Sequence, residues 1–372
     1  MKKRVLVPEN IKDLKAYVPG KTTAEVRKEY KPSRILKLAS NENRFGRSSK
    51  VDVAVLNALE TVHDYPDPEA LKLRSAISSR YGITENKVVF GAGSESMLAG
   101  LFRSFFLNKE NVITSDATFI GVFIQANIRG VKVKKIPISK NFRFDLKAMV
   151  NAIDENTKML YIANPNNPTG TYITKDEFEW LLSVVPRHIL IVMDEAYYEY
   201  AHFLNDYPDV LSYNQENLIV LRTFSKGYGL AGFRVGYAIA DSNVISFLKK
   251  TRLAFEPGSL GQAAALAAFD DQDFLKKSVS IVEQGKQELY TFFDQLGITY
   301  SKSAANFVMI EFPSEKDAFH ITQKLLEQGV ILRHIKGFGL PKCIRITIGL
   351  QEEMEHFKKL FKEIIEKELS RI

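Results

Sequence analysis

The feature that most constrains the fold is an apolar run, Ile189 to Met193, that ends in two acidic residues, Asp194 and Glu195. Large aliphatic residues without polar alternation are typical of a strand buried on both faces, as in the centre of a parallel sheet. Ligands bind such sheets at the carboxyl ends of the strands. A carboxylate there is costly to bury unless it is paired, so the pattern favours a functional role for Asp194.

Further apolar runs alternate with helical patterns through the middle of the chain, and this alternation predicts a mostly parallel α/β sheet flanked by helices. The predicted strands of this region are 87–90, 111–114, 131–138, 158–163, 189–193 and 218–221. Segment 131–138 alternates as an edge strand would. After about residue 243 helices dominate, with a long one at 273–296, and strands at 306–311, 329–332 and 343–348 complete a smaller α+β domain. We predict a large domain of residues 41–245 and a small domain of residues 1–40 and 246–372.

Composition narrows the class of protein. The chain of 372 residues is long for one domain, and 45% hydrophobic with 26% charged residues is ordinary for a globular protein. The net charge of +7 comes with Lys and Glu alternating in segments such as 357–368, which is typical of a solvated surface. No basic run is interleaved with aromatic residues and no apolar run could span a bilayer, so we expect neither nucleic acid nor membrane as a partner. Cys343 is the only cysteine, which excludes an intrachain disulfide; we expect a buried thiol and a cytoplasmic location.

The richest chemistry lies in Thr223-Phe-Ser-Lys-Gly-Tyr-Gly-Leu-Ala-Gly-Phe-Arg-Val-Gly-Tyr237, directly after a predicted strand. A lysine in a glycine-rich turn is, by itself, more typical of a solvated loop. Here Ser225, Lys226 and Arg234 together supply one nucleophilic amine and two phosphate donors. An amine that attacks a carbonyl, beside groups that hold a phosphate, is what pyridoxal 5'-phosphate requires.

A second phosphate signal is the turn Gly91-Ala-Gly93-Ser94, between a predicted strand and a helix at 95–106. Small residues at such a turn let backbone N–H groups and the helix N-terminus approach a phosphate. The turn differs from the Gly-x-Gly-x-x-Gly of dinucleotide binders because Ser96 stands at the third glycine, and it lacks the Gly-Lys-Thr/Ser of a P-loop.

With Asn164-Pro-Asn-Asn-Pro-Thr-Gly170 and Asp194-Glu-Ala-Tyr197, these segments resemble fold-type I pyridoxal-phosphate aminotransferases, in the subgroup that contains histidinol-phosphate aminotransferase. The resemblance runs from Tyr17-Val-Pro-Gly-Lys21 to Arg345-Ile-Thr-Ile-Gly349. It implies the fold-type I transferase fold, pyridoxal phosphate as cofactor, and a homodimer with shared active sites. It also implies transamination between an amino donor and a 2-oxo acid, without a metal.

The resemblance assigns roles around the cofactor. The catalytic residues would be Lys226, which bonds to the cofactor and moves the proton, Asp194 on the pyridine nitrogen, and Tyr197, which with Asn167 donates to the phenolic oxygen. The phosphate would be held by Ser225, Arg234, the turn residues Gly93, Ser94 and Glu95 and, from the neighbouring subunit, Tyr65. Phe119 would stack on the pyridine ring; without the resemblance it would be a core phenylalanine, and Tyr65 an ordinary loop aromatic.

Substrate residues are also implied by the resemblance. Arg345 would hold the substrate anion, Arg333 and Tyr17 would join it when that anion is a phosphate, and Asn43 would lie on a loop over the site. Arg333 has a structural ion pair as its alternative role, and Asn43 an ordinary turn. Two positions depart from the family pattern: Arg44 replaces a proline, which would loosen that loop or add charge to it, and Glu256 replaces an asparagine, which puts specificity for imidazole phosphates in doubt.

Several functions remain open from the sequence. The favoured one is transamination from histidinol phosphate to 2-oxoglutarate, in histidine biosynthesis. An aromatic or other amino-acid aminotransferase of the same subgroup would share the cofactor residues and differ in the anion pocket. A phospho-amino-acid decarboxylase on the same fold is a further alternative. A cofactor-binding regulatory module would need an attached DNA-binding domain, for which we expect no room because the motifs begin so early.

Overall fold

The computed structural model describes residues 6–12, 14, 20–107 and 109–369. Tyr17 lies outside the described residues. The helices are α1 (Glu9–Lys12), α2 (Thr23–Tyr30), α3 (Ser49–Ala58), α4 (Leu71–Tyr81), α5 (Ser94–Phe105), α6 (Ile120–Arg129), α7 (Leu146–Asn151), α8 (Lys175–Val184), α9 (Ser242–Thr251), α10 (Ser259–Asp270), α11 (Gln272–Leu296), α12 (Glu315–Glu327) and α13 (Gln351–Leu369). The strands are β1 (Leu36–Lys37), β2 (Val88–Gly91), β3 (Asn111–Ser115), β4 (Lys132–Ile136), β5 (Thr157–Ala163), β6 (Leu190–Asp194), β7 (Leu218–Thr223), β8 (Gly236–Ala240), β9 (Thr299–Ser301), β10 (Phe307–Glu311), β11 (Val330–Ile331), β12 (Arg333–His334) and β13 (Cys343–Thr347).

A seven-stranded sheet in the order β2-β8-β7-β6-β5-β3-β4 forms the centre of the molecule. The pairs from β7 through to β4 are parallel, whereas β8 runs antiparallel to both β7 and β2. The predicted mostly parallel sheet is confirmed. The run ending at Met193 is the middle strand, β6, and the alternating segment is the edge strand, β4, as predicted.

The two faces of this sheet are both covered. Along β6, Ile191 and Met193 pack into one hydrophobic cluster and Val192 packs into another on the opposite face. Neighbouring side chains of a strand point to opposite faces, so an uninterrupted aliphatic run is what a doubly covered strand needs.

A smaller α+β layer follows in the chain. The sheet β12-β13-β10-β9 packs against helices α11, α12 and α13 around a cluster that includes Phe307, Ile346 and Phe361. The N-terminal segment joins it, because β1 pairs with β11 and Leu36 and Leu38 lie in the same cluster. The division at residue 245 stays a prediction; α10, which follows it, packs with the large sheet.

One predicted helix forms, but the burial of its apolar residues differs from the prediction. The pattern at 51–61 places Val51, Val55, Leu56 and Leu59 on one face, and the structure forms α3 there with a 3-10 turn to Thr61. Val51 is fully buried, but Leu56 and Leu59 are exposed at 65% and 47%. Cys343 is buried beside Met309 and Phe338, as expected. In the described ranges no helix is long and apolar enough to cross a membrane.

Candidate active site

Strand ends from the large sheet meet at one edge. Strands β5, β6 and β7 are parallel, and β2 points the same way as β7 because both are antiparallel to β8. Their carboxyl ends and the turns that follow surround a cavity of about 200 Å³, which we name the strand-end cavity. It is lined by predicted site residues from distant parts of the chain: Gly93, Ser94, Glu95, Phe119, Asn167, Asp194, Tyr197, Ser225, Lys226 and Arg234.

Asp194 lies at the end of β6 with 4% of its surface exposed. Its Oδ2 accepts a hydrogen bond of 2.6 Å from the Tyr161 hydroxyl, and its Oδ1 accepts one of 3.2 Å from the Ala196 N–H. Burial raises the pKa of Asp194 to about 6, and the two hydrogen bonds oppose that rise. A carboxylate without a cationic partner in such a place is suited to a positively charged group of a ligand.

Lys226 follows β7 and its Nζ donates to the Ser40 carbonyl at 3.2 Å. Burial, with a further contribution from the positive charge of Arg345, lowers the pKa of Lys226 to about 8. More of the amine is therefore neutral, and so nucleophilic, than in a solvated lysine.

The turn that carries Lys226 is tightly packed. A Cβ at Gly229 would lie 1.9 Å from the Gly46 carbonyl oxygen, and the φ of Gly229 is +72°. Only glycine fits that approach, so the loop of residues 43–47 is held against the lysine turn.

Groups suited to binding an anion also line the strand-end cavity. Nη1 of Arg234 is 3.4 Å from the Ser225 hydroxyl, and its Nη2 donates to the Ala92 carbonyl at 3.4 Å. A Cβ at Gly93, whose φ is +88°, would lie 2.7 Å from Nη2 of Arg234, so glycine is required there. Helix α5 begins at Ser94, and the first N–H groups of a helix lack intrahelical acceptors.

Hydrogen bonds orient the remaining polar groups. The Tyr197 hydroxyl accepts a 2.8 Å bond from Nδ2 of Asn41, which leaves its own proton for another acceptor. The amide oxygen of Asn167 accepts from Nη1 of Arg345, so its NH2 group is the donor turned to a ligand. Arg345 is buried, and its Nη2 donates to the Ala39 carbonyl at 2.7 Å.

A second cavity of about 370 Å³ adjoins the first and shares Phe119, Asn167, Tyr197 and Lys226 with it. We name it the arginine cavity because Arg333 and Arg345 line it together with the segment 20–23. The two arginines are directly opposite each other in the β12–β13 pair. Of the described residues that line this cavity, none is acidic.

Two predicted site residues lie elsewhere in the described chain. Asn43 lines neither cavity; its amide donates to the Gly227 carbonyl at 2.9 Å and to the Ser278 hydroxyl at 2.7 Å, so it anchors the lysine turn to α11. Tyr65 is 80% exposed and its ring stacks on Phe255 with centroids 4.3 Å apart. Its predicted role is to hold the cofactor phosphate of a neighbouring subunit, and that role stays a prediction.

Sequence reasoning missed two residues that contact the site. Tyr161 lies within a predicted core strand. The one sequence signal for its contact with the site was a phenol in an otherwise aliphatic run. Asn41 belongs to the same polar loop as Asn43, and nothing in the sequence indicated its bond to Tyr197 or its place in the arginine cavity.

The two residues that depart from the family pattern, Arg44 and Glu256, both contact other residues of the chain. Arg44 forms an ion pair with Glu353, with Nε 3.2 Å from Oε2, so it ties its loop to the start of α13. The added charge is therefore neutralised, and the loosening of the loop stays a prediction. Glu256 lies outside the arginine cavity, and its Oε2 accepts from the Ala92 N–H at 3.1 Å and the Ser96 hydroxyl at 2.6 Å.

Comparison with known proteins agrees with this geometry. Residues 33–359 match the family model described as aminotransferase class I and II. A histidinol-phosphate aminotransferase of a Geobacillus species is 42% identical over 94% of this chain and 95% of its own length, and one of Bacillus velezensis is 40% identical over 96% and 99%. The crystal structure of histidinol-phosphate aminotransferase from Sinorhizobium meliloti in complex with pyridoxal-5'-phosphate superposes with a TM-score of 0.90 at 27% identity, covering 98% of this chain and 99% of that one. The chain belongs to the class I and II aminotransferase family.

Proposed function

We propose that the protein is a pyridoxal-phosphate-dependent aminotransferase that transfers the amino group of histidinol phosphate to 2-oxoglutarate. The products are imidazole acetol phosphate and glutamate, and the reaction belongs to histidine biosynthesis. One observation supports the proposal: Lys226 lines two adjoining cavities, and each of them is also lined by at least one arginine. A phosphorylated cofactor and a phosphorylated substrate together require two such sites.

The residues of the strand-end cavity fit pyridoxal phosphate. Ser225, Arg234 and the start of α5 line this cavity and would hold the phosphate, and the buried Asp194 lines it as well. When bound, the cofactor supplies an aldehyde for amines and a ring that withdraws electrons from the substrate carbon.

The roles of the protein groups follow from their positions. Asp194 holds a proton at the ring nitrogen, and the Tyr161 hydroxyl fixes the direction of that carboxylate. Tyr197 and the Asn167 amide donate to the phenolic oxygen, while Phe119 packs on the ring face. Lys226 moves the proton at the substrate carbon, and its lowered pKa suits both acceptance and release near neutral pH.

The arginine cavity supports a substrate with more than one negative charge. Arg345 and Arg333 lie opposite each other in the β12–β13 pair, and both line this cavity. Like charges placed side by side are costly unless an anion joins them, and a phosphate accepts hydrogen bonds from two guanidinium groups at once. Tyr17 would complete this site, and Asn43 supports it by anchoring the lysine turn.

We also propose a cytoplasmic homodimer with shared active sites. Apolar side chains are exposed on α3, the turn after it, the first residue of α4 and the segment before α10: Val53, Leu56, Leu59, Val62, Leu71, Leu253 and Phe255. Exposed apolar groups of this number mark protein interfaces. Tyr65 lies among them, from where it would reach the cofactor phosphate of the partner.

The experiment is a panel of amino donors assayed with 2-oxoglutarate. We expect kcat/KM for histidinol phosphate to exceed that for phenylalanine by at least about tenfold, which corresponds to one charge-assisted contact. A preference for phenylalanine would assign the chain to the aromatic aminotransferases. Release of carbon dioxide from a phospho-amino acid, without formation of a keto acid, would assign it to the decarboxylases.

A further inference from the structure

Glu256 contacts the turn of residues 91–96, which lies beside the strand-end cavity. It belongs to the segment between α9 and α10, and its single oxygen Oε2 accepts from both the Ala92 N–H and the Ser96 hydroxyl. Glu256 lines neither cavity. It therefore reaches no ligand directly, and any effect it has must pass through the turn.

The start of α5, at the end of this turn, has no side-chain cap. Gly93 is the N-cap residue of α5 and has no side chain to cap it. A capping acceptor normally satisfies one of the free N–H groups at a helix start. Glu256 accepts instead from the Ala92 N–H, which precedes the N-cap residue, and from the Ser96 hydroxyl in the first turn. Its negative charge lies near the positive end of the α5 dipole.

The peptide of Ala92 connects Glu256 to the predicted phosphate ligands. Its N–H donates to Glu256, and its carbonyl accepts from Nη2 of Arg234 at 3.4 Å. Because Ala92 is held through both its N–H and its carbonyl, it would keep the N–H groups of Ser94 and Glu95 in place beside the strand-end cavity.

We propose that Glu256 is a positioning residue that orders the turn of residues 91–96 for the cofactor phosphate. This inference rests on the proposed function, since it takes the phosphate of pyridoxal phosphate to bind at that turn. The departure from the family asparagine therefore concerns the cofactor phosphate, whereas the sequence had raised it as a doubt about the substrate.

The test removes the cofactor from the purified holoenzyme and titrates the apoenzyme with pyridoxal phosphate and with pyridoxal, which lacks the phosphate. In Glu256→Ala we expect the affinity for pyridoxal phosphate to fall about tenfold, while the affinity for pyridoxal stays within about twofold. Glu256→Gln keeps an oxygen at the same reach, so its preference for the phosphorylated form should stay within about threefold of wild type. Damage to the fold in general would lower both affinities together.

Ser96→Ala is the second variant, for use if Glu256→Ala does not fold. It removes only the hydroxyl contact and should lower the preference for pyridoxal phosphate by severalfold. If either variant folds and keeps the wild-type ratio of the two affinities, the inference is wrong. A wild-type apoenzyme that binds pyridoxal as tightly as pyridoxal phosphate would instead contradict the proposed function.

Discussion

The two cavities share Lys226, but they are built in different ways. The strand-end cavity is formed by the ends of neighbouring strands of one sheet, and its carboxylate, Asp194, is almost fully buried. The arginine cavity is assembled from segments 20–23 and 37–41 and from the small sheet, which come from distant parts of the chain. Sites on strands are held more accurately than sites on loops. A group that stays bound suits the first cavity, and substrates that enter and leave suit the second.

The difference extends to charge. The strand-end cavity contains Asp194, with a pKa raised to about 6, and Lys226, with a pKa lowered to about 8, so both groups are ionised at a cost there at neutral pH. In the arginine cavity the charged residues among the described lining residues are all arginines and lysines, and Arg333 is half-buried. Without a ligand, the buried charges of the strand-end cavity are therefore expected to lower the stability of the protein. The charges of the arginine cavity are expected to determine the selectivity for substrates.

The largest effect is expected for Lys226→Ala. Loss of the nucleophilic amine should lower transamination at least about a thousandfold. The visible absorbance of the bound cofactor should also change, and borohydride should fix a pyridoxyl group on Lys226 only in the wild type. The exposed Lys302→Ala is the matched control and should retain both activity and adduct. A peptide map that places the adduct on another lysine would contradict the assignment.

Asp194→Asn should lower activity about a hundredfold, because an amide cannot hold the proton at the ring nitrogen as a carboxylate does. The apoenzyme should nevertheless gain stability at neutral pH. Because the folded pKa of Asp194 lies above its usual value of 3.8, the folded state binds more protons than the unfolded state between about pH 4 and 6, and the free energy of unfolding falls as pH rises through that window. The full cost, up to about 3 kcal/mol, is present above pH 6.

Urea unfolding of the wild-type and Asp194→Asn apoenzymes measures this difference in the free energy of unfolding. The variant should exceed wild type by about 1–3 kcal/mol near pH 7.5, and the difference should shrink near pH 4.5. The exposed Asp270→Asn, as control, should show no such pH-dependent difference. Equal stability of wild type and Asp194→Asn at both pH values would mean that the buried carboxylate costs nothing.

The large sheet was predictable because its strands are short, aliphatic and separated by helical patterns. The central position of β6 was indicated by its aliphatic run, which has no polar residue before Asp194. Strand β8 was not predicted: Gly236–Ala240 follows the lysine turn, and only its pairing between β2 and β7 makes it a strand. That pairing also reverses the local direction, which no periodicity reveals.

Motifs at strand ends indicated part of the strand-end cavity, such as Asp194 and Lys226. The other residues of that cavity, such as Phe119, and those of the arginine cavity depended on the family resemblance. Asn41 and Asn43 show why. They are two positions apart in one polar loop, yet one donates to Tyr197 and the other to Gly227 and Ser278. The direction of each amide depends on contacts with residues more than 150 positions away, and these contacts leave no local trace in the sequence.

Arg333→Ala tests the arginine cavity alone. Its loss should lower kcat/KM for histidinol phosphate by about ten- to a hundredfold, or roughly 1.5–3 kcal/mol, because one charge-assisted contact to the substrate phosphate disappears. The loss on phenylalanine should be much smaller, since Arg345 alone can pair with a carboxylate. The exposed Arg187→Ala serves as the control for loss of a positive charge. Equal losses on both substrates would give Arg333 a structural role.

The smallest effect concerns which subunit completes the strand-end cavity. If Tyr65 reaches the cofactor phosphate of the partner, Tyr65→Ala alone should weaken cofactor binding, and Lys226→Ala alone should be inactive. A mixed dimer of the two variants has one site that contains both Lys226 and Tyr65. Random exchange makes about half of the dimers mixed, so activity should rise severalfold above the mean of the parents, towards about a quarter of wild type. The measurement is activity against mixing time at a subsaturating concentration of pyridoxal phosphate, with exchange followed by two different affinity tags. Controls are each variant mixed with a tagged copy of itself, which should show exchange without any rise. Dimers that exchange completely but stay at the parental mean would mean that Tyr65, stacked on Phe255 of its own chain, serves no neighbouring site.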